Sequence, residues 1–130
     1  MTADQIRAVP QQVTVQGKVL TATAAAWLNL IPTTNPPTNA TNATFHLVAK
    51  DGSVIPAALH IDRISVAKTE EVWASTNVTN KSSATALDAS IHNGSEWERG
   101  AAVDIVADFY DSNGQRFQLR STSTVITAAF

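Results

Sequence analysis

The stretch Ala101–Ile126, AAVDIVADFYDSNGQRFQLRSTSTVI, restricts what this chain can fold into more than any other segment. Val103, Ile105, Ala107 and Phe109 alternate with Asp104, Val106, Asp108 and Tyr110, the period of two expected of a strand with one buried face. Asp111-Ser112-Asn113-Gly114 then supplies turn chemistry, and Phe117 and Leu119 resume the alternation. These features predict a β-hairpin. A two-residue Asn113-Gly114 loop would set Asp108 against Leu119 and Tyr110 against Phe117, mixing buried and solvated faces. A three-residue loop, Ser112-Asn113-Gly114, sets Phe109 against Phe117 and Ala107 against Leu119, with Gly114 in the left-handed position of a bulge. It also leaves Asp108 diagonal to Arg116 and Arg120 on the outer face. Such pairs contribute only about 0.2–1 kcal/mol each, so burial decides the register and charge agrees with it.

The rest of the chain reads as further short strands. Val13, Val15 and Val19 indicate a strand that bulges or bends near Gly17. Ala22–Ile31 is Ala-rich, yet it is short, apolar on both faces and ends at Pro32, which suits a central strand with Trp27 in the core. Thr44–Lys50 places Phe45, Leu47 and Ala49 on one face, and Asp51-Gly52 marks a tight turn. Leu59 and Ile61 share one parity whereas Ile64 and Val66 share the other, so a bulge or strand end falls at Asp62-Arg63. Lys68–Glu71 reads as a charged turn, Val72-Trp73-Ala74 as a short strand, Asn77–Ser83 as a polar loop and Leu87–Ile91 as a strand. Val125-Ile126 supplies a last apolar contact.

About seven or eight strands with turns at short intervals indicate an all-β fold, a sandwich or small barrel. The Ala/Val/Ile-rich interior favours a sandwich. At 130 residues the chain suits a single domain over 1–130, with residues 1–9 a flexible lead-in. The absence of cysteine removes disulfides, thiolate metal sites and thiol catalysis. A net charge of −2 offers no polybasic surface, so nucleic acid is not an expected partner. No apolar run reaches the length of a membrane span. The N-terminal MTADQIRAVPQQ has no basic-then-apolar leader pattern. The expected location is therefore periplasmic or extracellular if a signal peptide has been removed, and cytoplasmic otherwise.

Trp97, Gly100, the Val103–Phe109 strand, the Asp111–Gly114 turn and Phe117–Leu119 together resemble immunoglobulin-like and fibronectin-type β-sandwich modules of bacterial surface and periplasmic proteins. The resemblance implies a single antiparallel two-sheet sandwich. The chain departs from antibody-type domains in lacking inter-sheet cysteines. Tyr110 also ends its strand, where a tyrosine corner would need it near a strand start. No functional residue is carried over.

Each group of residues that could carry chemistry also has a structural role open to it. His60 and Asp62 stand two apart on a strand and would share a face, with His46 or His92 as a third ligand if their strands adjoin. Separate solvated histidines are the preferred reading, and no metal or cofactor is expected. Asp104, Asp108 and Asp111, with Glu96 and Glu98, could supply an acid–base pair or a calcium site. Arg116 and Arg120 opposite them indicate a solvated ion-pair face instead. No Gly-x-Ser-x-Gly elbow, phosphate-binding loop or His-Glu-x-x-His occurs, so no catalytic residue is assigned and an enzyme is not expected. The sequons at Asn39, Asn42, Asn77, Asn80 and Asn93 are taken as signs of exposed loops.

The expected function is a non-enzymatic binding or structural module that meets a protein partner, or a second copy of itself, through loops or a sheet edge. The Pro32–Asn42 loop, with Asn35, Pro36 and Pro37, is the first candidate contact surface. A loop-mediated protease inhibitor using that loop is one alternative. A carbohydrate-binding module stacking sugars on Trp73 or Trp97 is another.

Overall fold

The computed structural model, which describes residues 1–29 and 40–129, contains among those residues one short helix and ten strands. In chain order they are α1 (Ala3–Ala8), β1 (Val13–Val15), β2 (Lys18–Asn29), β3 (Thr41–Ala49), β4 (His60–Lys68), β5 (Glu71–Ser75), β6 (Thr79–Ser82), β7 (Ala86–Ile91), β8 (Ala102–Tyr110), β9 (Arg116–Arg120) and β10 (Thr124–Ala129). Asn35, Pro36 and Pro37 lie outside the described residues.

The β8–β9 hairpin has the three-residue register, with Phe109 opposite Phe117 and Ala107 opposite Leu119. The Asp111 N–H donates to the Gln115 carbonyl oxygen, and Gly114 takes φ of 76°. Phe109 is fully buried and stacks on Phe117 with ring centroids 5.5 Å apart. The parity slip in β4 is a register shift between Ile61 and Arg63, which keeps Ile61 and Ile64 both inward and fully buried. At the other predicted bend the chain reverses completely. Gln16 and Gly17 both have positive φ and pair Val15 with Lys18 in a two-residue hairpin turn.

The strands follow one continuous path, β5-β4-β8-β10-β2-β3-β7-β6, with β1 added on β2 and β9 on β8. This corrects the expected antiparallel arrangement of seven or eight strands: the sheet is mixed and has ten. The cause is β10. It meets β8 over only two residue pairs and then runs parallel to β2, from Ile126 opposite Ala26 to Ala129 opposite Asn29. The path doubles back on itself, since β4 touches β7 and β2 touches β9 without sharing a ladder. Inward side chains from both halves, including Phe45, Leu47, Ile64, Leu87, Ile105 and Leu119, form a single core cluster. Burial of each large apolar side chain contributes about 1.5–3 kcal/mol.

Three local expectations change. Residues 1–9 carry a capped helix where a flexible lead-in was expected. The Thr2 hydroxyl accepts from the Gln5 N–H at 3.1 Å while the Gln5 side chain accepts from the Thr2 N–H at 2.8 Å. Six residues do not hold a helix in water; Ala3, Ile6 and Val9 pack on Ala67 and Val106, a second small core on the outside of β4 and β8. Arg7 fastens it further, donating to Asp104 at 3.2 Å and to the Thr69 carbonyl oxygen at 2.5 Å. Asn77–Ser83, expected as a loop, contains β6, a polar edge strand on β7. Trp27, expected in the core, lies between the inward Ala26 and Leu28, and its position on the outer face leaves it half-buried.

Candidate functional site

The bulge in β4 decides what stands on the outer face of the β4-β8-β9 region. An ordinary strand would turn Asp62 and Arg63 to opposite sides, but the extra residue leaves both outside while Ile61 and Ile64 point in. Asp62, Arg63, Thr76, Asp108, Arg116 and Gln118 line a shallow hollow of about 320 Å³ there. Arg116 grips both Asp62 carboxylate oxygens through its Nη2 at 2.8 Å. That contact makes Arg116 still harder to deprotonate than a free guanidinium. Arg116 therefore pairs with the β4 carboxylate and not with Asp108 as the diagonal predicted. Asp108 accepts from the Gln118 amide at 2.8 Å instead. Arg63 faces Asp108 across the ladder, is exposed, and has no carboxylate within ion-pair distance among the described residues.

Thr76, at the rim of this hollow, directly follows β5, so the bulge and the outer edge of β5 are continuous. β5 pairs with β4 from Glu71 opposite Lys68 to Ser75 opposite Ile64. Among the described residues, no hydrogen bond from outside that ladder reaches the backbone of Glu71–Ser75. Trp73 shares the inward parity of Val66 and packs against the core and against Gly94. A Cβ at Gly94 would collide with the indole ring, so only glycine fits there. Val72 takes the other side and packs against the α1 cluster. Ala74 is exposed.

The far end of β5 is acidic. Lys68 donates to Glu98 at 2.7 Å and lies 3.5 Å from Glu71. The Glu98 hydrogen bond raises the Lys68 pKa, and Lys68 in turn lowers that of Glu98. This pair ties the segment after β7 to the turn between β4 and β5.

The opposite end of the strand path is closed differently. Asn80 on β6 accepts from the Ile61 N–H at 3.0 Å and donates to the Ile61 carbonyl oxygen at 2.8 Å. Its side-chain amide thus stands in for a ladder where β5 does not reach. Asn80 is a sequon position read as an exposed loop, and Asn42 is another; Asn42 is buried and accepts from the Asn93 N–H at 3.3 Å. Neither side chain is free. Nothing local in the sequence marks Asn80 for this role, because its partner is a backbone nineteen positions away.

The remaining candidates disperse. Trp97 is 6% exposed and belongs to the core, so its indole has no face for a sugar. His60 tilts against Tyr110 at 5.3 Å between ring centroids, His46 Nδ1 lies 2.5 Å from Asp88, and His92 Nδ1 lies 3.1 Å from Asn42. Among the described residues, no three His, Asp or Glu side chains converge on one point. Asp104 is held by Arg7 and Ser123, and Asp111 turns onto the N–H groups of Asn113 and Gln115 in its own loop. No helix among the described residues is long and apolar enough to cross a membrane. No family model, curated protein or solved structure matches the chain.

Proposed function

We propose that the protein is a non-catalytic binding module that takes up an extended protein segment along the outer edge of β5. The observation that carries this reading is the unpaired edge itself. Every second residue of an edge strand turns its N–H and C=O outward, which is a template for one more strand. β5 is short, but its centre is Val72-Trp73-Ala74, with β-forming and apolar character and no charge. Main-chain bonds to such an edge supply affinity, and neighbouring side chains supply selectivity. The two-layer, immunoglobulin-like reading of the fold accompanies this proposal. Its support is the one core shared by both halves of the doubled-back sheet.

The test is selection of extended peptides from a random display library, followed by amide hydrogen exchange. Bound peptide is expected to slow exchange across Glu71–Thr76. Placing a charge on the exposed edge by Ala74→Lys is expected to weaken binding about tenfold or more. Peptides that protect other segments and leave β5 unchanged would refute the reading.

A further inference from the structure

We infer that α1 is a strap on β5: its docking holds β5 in the ordered form that accepts a strand, so docking of α1 and strand uptake favour each other. The inference rests on the β5 reading and adds the regulation of that site.

β5 has a ladder on one side only, so its order depends on what grips its two faces. Trp73 fixes the inner face against the core and Gly94. α1 fixes the outer face. Val72, paired with Ala67 across the ladder, packs into the cluster that Ala3, Ile6 and Val9 form with Ala67 and Val106. α1 also reaches the turn that leads into β5. Arg7 bridges from Asp104 on β8 to the Thr69 carbonyl oxygen. Thr69 has φ of 49°, a left-handed conformation that a β-branched residue rarely takes. One helix therefore holds both the start of β5 and the strained turn before it. Among the described residues, no hydrogen bond from α1 reaches the backbone of Glu71–Ser75. That sets the sign of the effect: α1 orders the edge without occupying it.

Release of α1 leaves the main core intact, because the cluster beneath the helix is separate from it. The base of the strap stays fixed, since Arg120 donates to the carbonyl oxygens of Val9 at 2.8 Å and Pro10 at 2.9 Å. α1 with the β4–β5 turn is thus a local unit that opens before the rest of the fold. With α1 released, Val72 loses its cover and Thr69 its bond. Fewer chains then hold β5 ready for a strand, and the apparent affinity falls in proportion. By linkage, a strand bound on β5 tightens the docking of α1 by the same factor.

The experiment is amide hydrogen exchange on the full chain, in the wild type and in two variants that loosen α1, Ile6→Asp and the milder Arg7→Gln. Exchange across Glu71–Ser75 is expected to rise about tenfold in Ile6→Asp while that across Phe45–Ala49 in β3 stays within about twofold of wild type. A peptide selected on the wild-type chain for protecting β5 is expected to bind Ile6→Asp about tenfold more weakly, with Arg7→Gln in between. In the wild-type chain the same peptide is expected to slow exchange at the Ile6 and Val9 N–H groups, which donate to the Thr2 and Ile6 carbonyl oxygens. This last measurement needs no variant to fold, and a general loss of stability does not produce it. Exchange at β5 that rises no more than at β3 overturns the inference, as does peptide affinity indifferent to both variants. Peptide that protects β5 but leaves the α1 amides unchanged overturns the strap alone. A chain on which no peptide protects β5 overturns the edge reading itself, so the two failures are distinct.

Discussion

The two terminal strands of the sheet path, β6 and β5, handle the same hazard in opposite ways. β6 has four polar residues with Lys81 among them, and its inward Asn80 reaches across to both backbone groups of Ile61. Shortness, a lysine and a tether are devices that keep a sheet from recruiting strands. β5 is bordered by acidic residues but carries Val72, Trp73 and Ala74, and nothing described covers its outer backbone. One end of the sheet is polar and tethered through a side chain, and the other is apolar at its centre. Exposure does not separate them, because both strands reach solvent, and neither outer backbone has a hydrogen-bond partner among the described residues; what separates them is their side chains, polar and tied to Ile61 through Asn80 in β6, apolar at the centre of β5.

The sharpest way to break this contrast is Asn80→Leu. It leaves the Ile61 N–H and C=O without partners on a fully buried residue. Each unsatisfied group costs about 1–3 kcal/mol, so a loss of about 3 kcal/mol is expected in urea unfolding. A loss below about 1 kcal/mol would mean that the amide closes nothing. Next comes Gly94→Ala, which drives a methyl group into the Trp73 ring. Overpacking of this kind costs about 1–3 kcal/mol, and a displaced indole should shift tryptophan emission to the red. Unchanged stability and emission would show that the inner side of β5 is loosely held.

Ala74→Lys addresses the outer side. Stability should stay within about 0.5 kcal/mol of wild type because Ala74 is exposed, whereas strand uptake along β5 should be lost. A variant that still takes up a strand at β5 would make the two ends of the sheet equivalent after all. The smallest effect concerns the latch at the start of β5. The Glu98 carboxyl is lowered by Lys68, so its contribution is complete above the ordinary glutamate pKa and disappears as pH falls through the depressed value. The Lys68 ammonium is raised by Glu98, so its contribution is complete below the ordinary lysine pKa and fades as pH rises through the raised one. Carboxyl carbon NMR should place the Glu98 midpoint below that of a free glutamate and return it upward in Lys68→Met. A Glu98 midpoint at the free value in the wild-type protein would dismiss the latch.

Local patterns carried much of the fold. Phe109 and Phe117 fixed the hairpin register because a one-residue slip would expose both rings, and the change of parity from Ile61 to Ile64 located the bulge. Pairings between distant segments left no such trace. β6 has no apolar alternation to betray it, since its one structural side chain, Asn80, is polar. The docking of α1 depends on Val106 and Ala67, which interrupt an otherwise polar outer face but do not say what covers them. The site was half legible. The bulge and its charges could be read along the chain, but the choice of Arg116 for Asp62 required knowing that β4 lies beside β8.

The parallel pairing of β10 with β2 has a consequence for how the chain reaches its native state. Ile126 lies beside Ala26, one hundred positions earlier. Loop closure over that distance comes late in folding and slows it. Until the last strand arrives, the Ala26–Asn29 flank of the central strand is a raw ribbon of backbone amides in a nascent protein already long enough to aggregate. An open flank of that kind is a point at which misassembly competes with folding.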